Sequence, residues 1–199
     1  MNLQDVVNCW DKAHPRMLHP AREVSEAEYW KTGRQQAAIL AKILPPGCDV
    51  VDFGCGDGRV TIPLHDLGYT VTGVDGAPSM LRRLADKLLD IPTVLATGPD
   101  LTAKLCRQVD AIISLAVLHH HSRADQLDII TGLRDTTKPG GLLILDWPAS
   151  FHPAERTTWY EVTTWDPEAR LNAARELGLE PVQTHHVPWS VWRVNHSTT

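Results

Sequence analysis

The stretch VVDFGCGDGR, residues 50–59, contains the pattern that decides the fold. A β-branched and aromatic run around Asp52 predicts a short buried strand, and Gly54, Gly56 and Gly58 follow it at once. Glycine permits positive φ and lets the backbone approach a ligand closely, while the N-terminus of the next helix offers unpaired N–H groups. The stretch therefore predicts a strand, a turn suited to binding a ligand, and a helix.

The spacing of the glycines bears on which ligand is expected. They alternate as G-x-G-x-G, and Arg59 stands where a dinucleotide fingerprint has its third glycine, so a pyrophosphate ligand is disfavoured. A second strand, residues 70–74, ends in Asp75, about 20 residues after the turn, where an acid can accept hydrogen bonds from both ribose hydroxyls. These features favour a nucleoside site over a turn without a ligand. Pro63 predicts that the intervening helix, residues 59–67, is distorted or starts late.

Further elements alternate along the chain and predict a parallel sheet with helices on both faces. Helices are predicted at residues 25–44, 59–67, 79–89 and 124–135, and after Asp100 and Asp166. Strands are predicted at residues 50–53, 70–74, 93–96, 109–115, 142–146, 180–187 and 190–196. Only Pro188 and Trp189 separate the last two strands, which is too short for a crossover helix, so one of them must run antiparallel.

Length and composition are typical of one globular domain: 199 residues, 43% hydrophobic and 22% charged. The net charge of −5 and the scattered basic residues argue against a nucleic-acid partner. The four cysteines lack C-x-x-C spacing and are expected to be reduced thiols. With no apolar segment of about 20 residues and no leader pattern, we expect a cytoplasmic protein without a membrane partner, monomeric or homodimeric.

Five segments, in order, resemble the class I methyltransferases that use S-adenosylmethionine, in particular those acting on small molecules. They are DFGCGDG, VDGAPSML, GPDL, VDAIISLAVLHH and KPGGLLILDW, within a resemblance that covers about residues 25–196. It implies a Rossmann-like, seven-stranded, mostly parallel sheet with an antiparallel C-terminal hairpin. The whole chain, 1–199, would be one methyltransferase domain, in which residues 1–44 form an N-terminal cap and helix over the site and 45–199 form the core.

The implied reaction is methyl transfer to a small-molecule acceptor, with release of S-adenosylhomocysteine. A catalytically silent protein that binds or senses S-adenosylmethionine is the alternative, and a nicotinamide-dependent oxidoreductase ranks third because of Arg59. S-adenosylmethionine has no phosphate group, and its net charge is near plus one. Acidic side chains are therefore expected to bind it. Asp52 is expected to receive the ammonium group, Asp75 the ribose and Asp100 the adenine amino group. The predicted cofactor residues are Arg34, Asp52, Gly54, Cys55, Gly56, Asp75, Gly76, Met80, Asp100, Leu101 and Ser114.

Two of the cofactor assignments leave an alternative open. Arg34 or Tyr29 could hold the methionine carboxylate, or their helix could merely pack on the sheet while Arg34 faces water. Asp57 could contact the cofactor or cap a helix N-terminus.

The acceptor is expected among the N-terminal helix, the loop at residues 116–122 and the long stretch at 147–165. His119 or His120 could act as a general base, since imidazole titrates near ~6.5; a structural role for the histidines is the alternative. Adjacent histidines lack the i, i+4 geometry of a metal site, so no metal is predicted. The predicted substrate residues are Tyr29, Trp30, Trp147 and Tyr160, with core packing as the alternative for the last two.

Overall fold

A seven-stranded sheet with helices around it forms the body of the computed structural model, which describes residues 2–13, 24–87, 90–185 and 187–195. The helices are α1 Leu3–Lys12, α2 Glu26–Leu40, α3 Thr61–Asp66, α4 Pro78–Ala85, α5 Leu101–Leu105, α6 Arg123–Thr136 and α7 Pro167–Glu176. The strands are β1 Asp49–Phe53, β2 Thr70–Asp75, β3 Thr93–Leu95, β4 Val109–Ser114, β5 Thr137–Leu145, β6 Leu179–Pro181 and β7 Ser190–Val194.

The strand order is β3-β2-β1-β4-β5-β7-β6. The pairs among the first five strands are parallel, whereas β7 pairs antiparallel with both β5 and β6. The predicted mostly parallel, seven-stranded sheet with an antiparallel C-terminal pair is therefore confirmed. Because β1 is followed by β2 on one side and neighbours β4 on the other, the chain reverses its winding there, and a crevice opens at the carboxyl ends of these strands.

Apolar residues are buried on both faces of the sheet. Along β1, Val51 and Phe53 belong to one hydrophobic cluster, while Val50 belongs to a second cluster on the opposite face. Helix α2 covers that second face with Ala37 and Leu40. Because the parallel strands are covered on both sides, β1 and β4 are buried along almost their whole length.

Two helices near the crevice begin as the sequence indicates. The Ser25 hydroxyl accepts a hydrogen bond from the Glu28 N–H and caps α2, which ends at Leu40, four residues earlier than predicted. Helix α3 starts at Thr61, which confirms the late start expected from Pro63. Pro63 is then the third residue of the helix, where a missing N–H removes no intrahelical bond.

The predicted C-terminal strands were too long. Strand β6 ends at Pro181, so eight residues rather than two separate it from β7. Parts of three predicted elements lie outside the described residues: the end of the helix at 79–89, residue 186 within the strand at 180–187, and residue 196 at the end of the last strand. Within the described ranges, no helix has the length and apolar character needed to cross a membrane.

Candidate functional site

A cleft opens where the carboxyl ends of β1, β2 and β4 meet, and it encloses about 1090 Å³ of empty space including its open side. Its walls come from the glycine turn after β1, the end of β2, the loop after β4, and helices α1, α2 and α4. The lining residues are Leu3, Val7, Trp10, Tyr29, Asp52, Phe53, Gly54, Cys55, Gly56, Arg59, Val60, Asp75, Gly76, Met80, Ala96, Thr97, Leu115, Ala116, Val117, His120, His121 and Ile129.

The glycine turn presents bare backbone to this cleft. Gly54 has φ 76°, and a Cβ there would lie 2.1 Å from Val117 Cγ2, so a larger residue cannot replace it without displacing the loop after β4. Gly56 has φ 55° and no atom within 4 Å of a Cβ built on it. Its N–H donates to Asp75 Oδ2 at 2.9 Å. The turn thus leaves open space next to a fixed carboxylate.

Two acidic side chains lie at the strand ends. Asp75 also accepts the Ala77 N–H on Oδ1 at 2.8 Å, and burial raises its pKa to about 6 despite these hydrogen bonds. Asp52 is only 4% exposed and accepts from the Thr61 hydroxyl at 2.6 Å. Burial also raises the pKa of Asp52 to about 6. Two partly desolvated carboxylates favour a ligand that carries positive charge and hydroxyl donors.

Arg59 is a site residue that its sequence position did not reveal. It was noted only because it stands where a dinucleotide fingerprint has its third glycine. It lines the cleft, and its Nη1 donates to Gln36 Oε1 at 2.6 Å and to Thr32 Oγ1 at 3.3 Å. Arg34, by contrast, is exposed and is not among the lining residues. Helix α2 approaches Arg59 closely because Gly33 has no side chain: a Cβ there would lie 1.9 Å from the Arg59 carbonyl oxygen.

Asp57 fastens α2 to the glycine turn. This buried carboxylate accepts the Tyr29 hydroxyl at 2.6 Å and forms an ion pair with Lys87 at 2.5 Å. Neither alternative raised for Asp57 describes its place, because it does not line the cleft and Val60 is the N-cap of α3. Trp30 packs beneath the Lys87 ammonium, 4.7 Å from the ring centroid, and also stays outside the cleft. Tyr29 lines it.

The far side of the glycine turn is mostly apolar. Met80, Ala96 and Ile129 line it together with Gly76 and Thr97. Three predicted cofactor residues are not among the residues that line the cleft. Asp100 accepts the Thr97 N–H at 2.8 Å, Leu101 belongs to the core, and Ser114 is fully buried with no hydrogen-bond partner for its hydroxyl within the described ranges.

Helix α1 closes the other end of the cleft, which the sequence indicated only as part of an N-terminal cap. Asp11 holds this helix to the start of α4, since its Oδ1 accepts the Ser79 N–H at 2.7 Å. Trp10 then lies 5.4 Å from the His120 ring and 5.2 Å from the Trp159 ring, measured between centroids. This end of the cleft therefore has an aromatic wall next to an imidazole.

The histidines after β4 differ in their surroundings. His120 and His121 line the cleft; burial lowers their pKa values to about 3 and about 4. His119 does not line it; its Nδ1 lies 3.1 Å from Asp146 Oδ2, and its Nε2 lies 3.0 Å from His120 Nε2. Of the two residues predicted as a base, the structure thus brings His120 to the cleft and places His119 behind it.

The aromatic residues predicted to contact substrate mostly do not reach the cleft. Trp147 is 1% exposed, and its ring lies 5.6 Å from those of Trp165 and Trp192 in the core. Tyr160 is 39% exposed and packs against Trp159. Trp147 thus packs in the core, and Tyr160 does not line the cleft, although its neighbour Trp159 packs against the lining residue Trp10.

Comparisons with known proteins agree on the kind of domain. Residues 50–141 match the family model described as "Methyltransferase domain". Ubiquinone biosynthesis O-methyltransferase of Dinoroseobacter shibae is 31% identical over 157 residues, which are 68% of this chain and 61% of that protein. The enzyme of the same name from Xanthomonas campestris is 31% identical over 121 residues, covering 57% of this chain and 50% of the relative. The chain thus spans about half to six tenths of the length of these curated relatives.

Solved structures show the same fold. Magnesium protoporphyrin IX methyltransferase from Synechocystis, crystallised with bound S-adenosylmethionine, superposes with a TM-score of 0.70 at 18% identity, over 98% of each chain. The 1,6-didemethyltoxoflavin-N1-methyltransferase of Burkholderia thailandensis gives a TM-score of 0.66 at 18% identity, over 92% of this chain and all of that one. Residues 50–141 therefore match a methyltransferase domain, and the chain has the fold of solved methyltransferases, one of them crystallised with bound S-adenosylmethionine.

Proposed function

We propose that this protein transfers the methyl group of S-adenosylmethionine to a hydroxyl group of a small, flat acceptor. The observation that carries the proposal is the cleft itself, which joins the buried Asp52 and the half-buried Asp75, beside a bare glycine turn, to a histidine beside an aromatic wall. The oxygen acceptor is supported by the curated relatives, which are named as O-methyltransferases.

The lining residues fit S-adenosylmethionine in charge and in shape. The Asp75 carboxylate accepts a hydrogen bond from the Gly56 N–H and has further lone pairs that can accept hydrogen bonds from ribose hydroxyls. Asp52 and Arg59 present one negative and one positive group for the ammonium and carboxylate of the methionine end. Among the described lining residues, Arg59 is the single Lys or Arg, so the cleft does not offer the several cations that a diphosphate would favour.

When bound, S-adenosylmethionine supplies a methyl group that is already activated, so the protein mainly has to orient the acceptor. Leu3, Val7 and Trp10 of α1 cover one end of the cleft with apolar side chains. Alignment of two reactants is worth up to about 7–11 kcal/mol. His120 lines the cleft, and we propose it as the group that takes the acceptor proton. A general base typically contributes 10²–10⁴-fold.

Ligand-dependent unfolding tests the cofactor. With S-adenosylmethionine or S-adenosylhomocysteine at about 100 times the dissociation constant, the gain of about 2.7 kcal/mol should raise Tm by roughly 5–10 °C. NAD should produce no rise. Asp75→Asn should lose the rise while its ligand-free circular dichroism spectrum stays native. A rise with NAD alone, or none with either sulfur nucleoside, would contradict the cofactor assignment.

Product formation tests the reaction. The protein is incubated with S-adenosylmethionine and a panel of aromatic compounds that differ only in carrying a hydroxyl, an amino or a thiol group. S-adenosylhomocysteine should accumulate with the hydroxyl compounds and increase with acceptor concentration. Binding of the cofactor without turnover on any member of the panel would favour the silent, cofactor-binding alternative.

A further inference from the structure

Asp11 joins helix α1 to helix α4 through two hydrogen bonds. The Ser79 N–H donates to Asp11 Oδ1 at 2.7 Å, and the Ser79 hydroxyl donates to the Asp11 carbonyl oxygen, also at 2.7 Å. Within the ranges that the structure describes, these two are the hydrogen bonds that link α1 to another element. The helix otherwise packs through apolar and aromatic side chains such as Leu3, Val7 and Trp10. The polar attachment of α1 therefore depends on Asp11.

The start of α4 needs an acceptor from outside its own helix. Its first residue, Pro78, has no N–H, and its N-cap is Ala77, whose methyl side chain cannot accept a hydrogen bond. The Met80 N–H donates to the Ala77 carbonyl at 3.1 Å. The Ser79 N–H is thus the donor of the first turn that Asp11 satisfies, and these hydrogen bonds hold the pKa of Asp11 below its usual value. Asp11 therefore caps α4 in place of an N-cap side chain.

The same face of α1 covers the segment that follows β2. Val7 lies one turn before Asp11, and residues four positions apart lie on one face of a helix. Val7 packs over Gly76, since a Cβ built on Gly76 would lie 3.0 Å from Val7 Cγ2. The segment from Asp75 to Ser79 thus contains both the acid proposed to bind ribose and the groups that hold α1. Helix α1 is therefore fixed to the cofactor side of the cleft.

Trp10 extends from α1 toward the opposite side of the cleft. Successive residues of a helix differ in direction by roughly 100°, so Trp10 and Asp11 face different neighbours. The Trp10 ring lies against the rings of His120 and Trp159, at centroid distances of 5.4 and 5.2 Å. Because the hydrogen bonds of Asp11 fix both the position and the rotation of α1, they also fix where the Trp10 ring lies.

We propose that Asp11 is a positioning residue for the acceptor: by capping α4 it holds α1 in place, so that Trp10 forms the wall against which the acceptor ring binds. The inference rests on the proposed function. Asp11 does not line the cleft, so it acts through Trp10 rather than by contact with either ligand. Without the carboxylate, α1 should separate from α4 in a larger fraction of molecules. The acceptor binds only the fraction with α1 in place, so its apparent affinity should fall by that fraction, whereas transfer to a bound acceptor should change little.

The test compares Asp11→Ala, Asp11→Asn and a control, Asp128→Ala, on the exposed face of α6. The kinetic constants kcat and KM for a hydroxyl acceptor from the panel are measured at saturating S-adenosylmethionine. Asp11→Ala should raise KM several-fold and leave kcat little changed. Asp11→Asn should keep KM near the native value, because the Asn Oδ1 can still accept the Ser79 N–H. Asp128→Ala should match the native protein.

A double variant separates positioning from a general loss of stability. Asp11→Ala should raise KM in the native background but have little further effect in the Trp10→Ala background, because the wall is already absent there. A native KM in Asp11→Ala, or an equal rise in both backgrounds, would overturn the proposal. An Asp11→Asn protein that behaves like Asp11→Ala would overturn it as well, because the hydrogen bond to Ser79 would then not carry the effect.

Hydrogen exchange tests the attachment of α1 without turnover. In the ligand-free protein, the amides of α1 should exchange about two- to thirtyfold faster in Asp11→Ala than in the native protein, the range expected for loss of a helix cap. The amides of β1 and β4 should exchange as in the native protein. If the native protein methylates no member of the panel, the proposed function fails, and exchange alone decides the role of Asp11. Unchanged exchange of α1, or an equal increase in α1, β1 and β4, would refute that role.

Discussion

Replacing Asp52 with Asn should stabilise the ligand-free protein while it weakens cofactor binding. The Asp52 carboxylate is 4% exposed, and it accepts hydrogen bonds from two neutral donors of Thr61, the hydroxyl and the backbone N–H. An Asn side chain has the same shape and can still accept that hydroxyl through Oδ1. The substitution therefore removes a desolvated charge and keeps the packing.

The size of the effect follows from the pKa of Asp52. Burial raises this pKa from 3.8 to about 6 in the folded protein, so ionisation opposes folding. This destabilisation of the folded protein is absent below pH 3.8, grows as the pH rises to about 6 and reaches its full size above that pH. At about 1.36 kcal/mol per pH unit, the full effect amounts to roughly 3 kcal/mol. Asp52→Asn should thus gain roughly 3 kcal/mol at pH 8 but only about 0.5 kcal/mol at pH 4.

The assay is urea denaturation of both proteins at pH 4 and pH 8, with calorimetric titration of S-adenosylhomocysteine at pH 8. The loss of a charged hydrogen bond to the ammonium group should weaken binding by about 10–100-fold. Asp110→Asn is the matched control, because hydrogen bonds from Lys138 and the Asp49 N–H hold the pKa of Asp110 below its usual value. That variant should lose stability at pH 8 and lose less at low pH. A less stable Asp52→Asn protein at pH 8, or a gain that does not depend on pH, would refute the reasoning.

Three further substitutions test the walls of the cleft. Arg59→Gln should weaken S-adenosylhomocysteine binding about tenfold, because a charged hydrogen bond is lost; calorimetric titration measures this. The control Arg34→Gln, on the exposed face of α2, should leave binding unchanged. Equal effects of the two substitutions would argue against a role for Arg59. Gly33→Ala should lower the free energy of unfolding, measured by urea denaturation, by about 1–3 kcal/mol. The reason is that the new Cβ would lie 1.9 Å from the Arg59 carbonyl oxygen. An unchanged free energy of unfolding would show that α2 can shift to make room for the methyl group. Trp10→Ala should raise KM for an aromatic acceptor several-fold, because a contact between two aromatic rings contributes about 0.5–1.5 kcal/mol. An unchanged KM would show that the acceptor does not bind against Trp10.

The sheet and the acidic half of the site could be predicted from local patterns. Asp52 and Asp75 each end a short apolar run, and parallel strands bring their carboxyl ends to one edge of the sheet. The glycine turn follows β1 directly, so its position required no knowledge of distant contacts. The same reasoning predicted the late start of α3 from Pro63.

The other half of the site depends on residues that are distant in sequence. Asp146 contacts His119 because β5 pairs with β4, and no local sequence pattern around either residue predicts this contact. Trp10 reaches the cleft because Asp11 binds Ser79, 68 positions away.

Periodicity and turn chemistry act over a few residues, so the sequence by itself determined the order of strands and helices from α2 onward, the glycine turn and the two acids at the strand ends. It could not tell a core tryptophan such as Trp147 from one that lines a pocket such as Trp10. It also could not say whether Arg34 or Arg59 faces the cleft. Only the tertiary structure decided these points, because burial and hydrogen-bond partners arise when distant segments pack together.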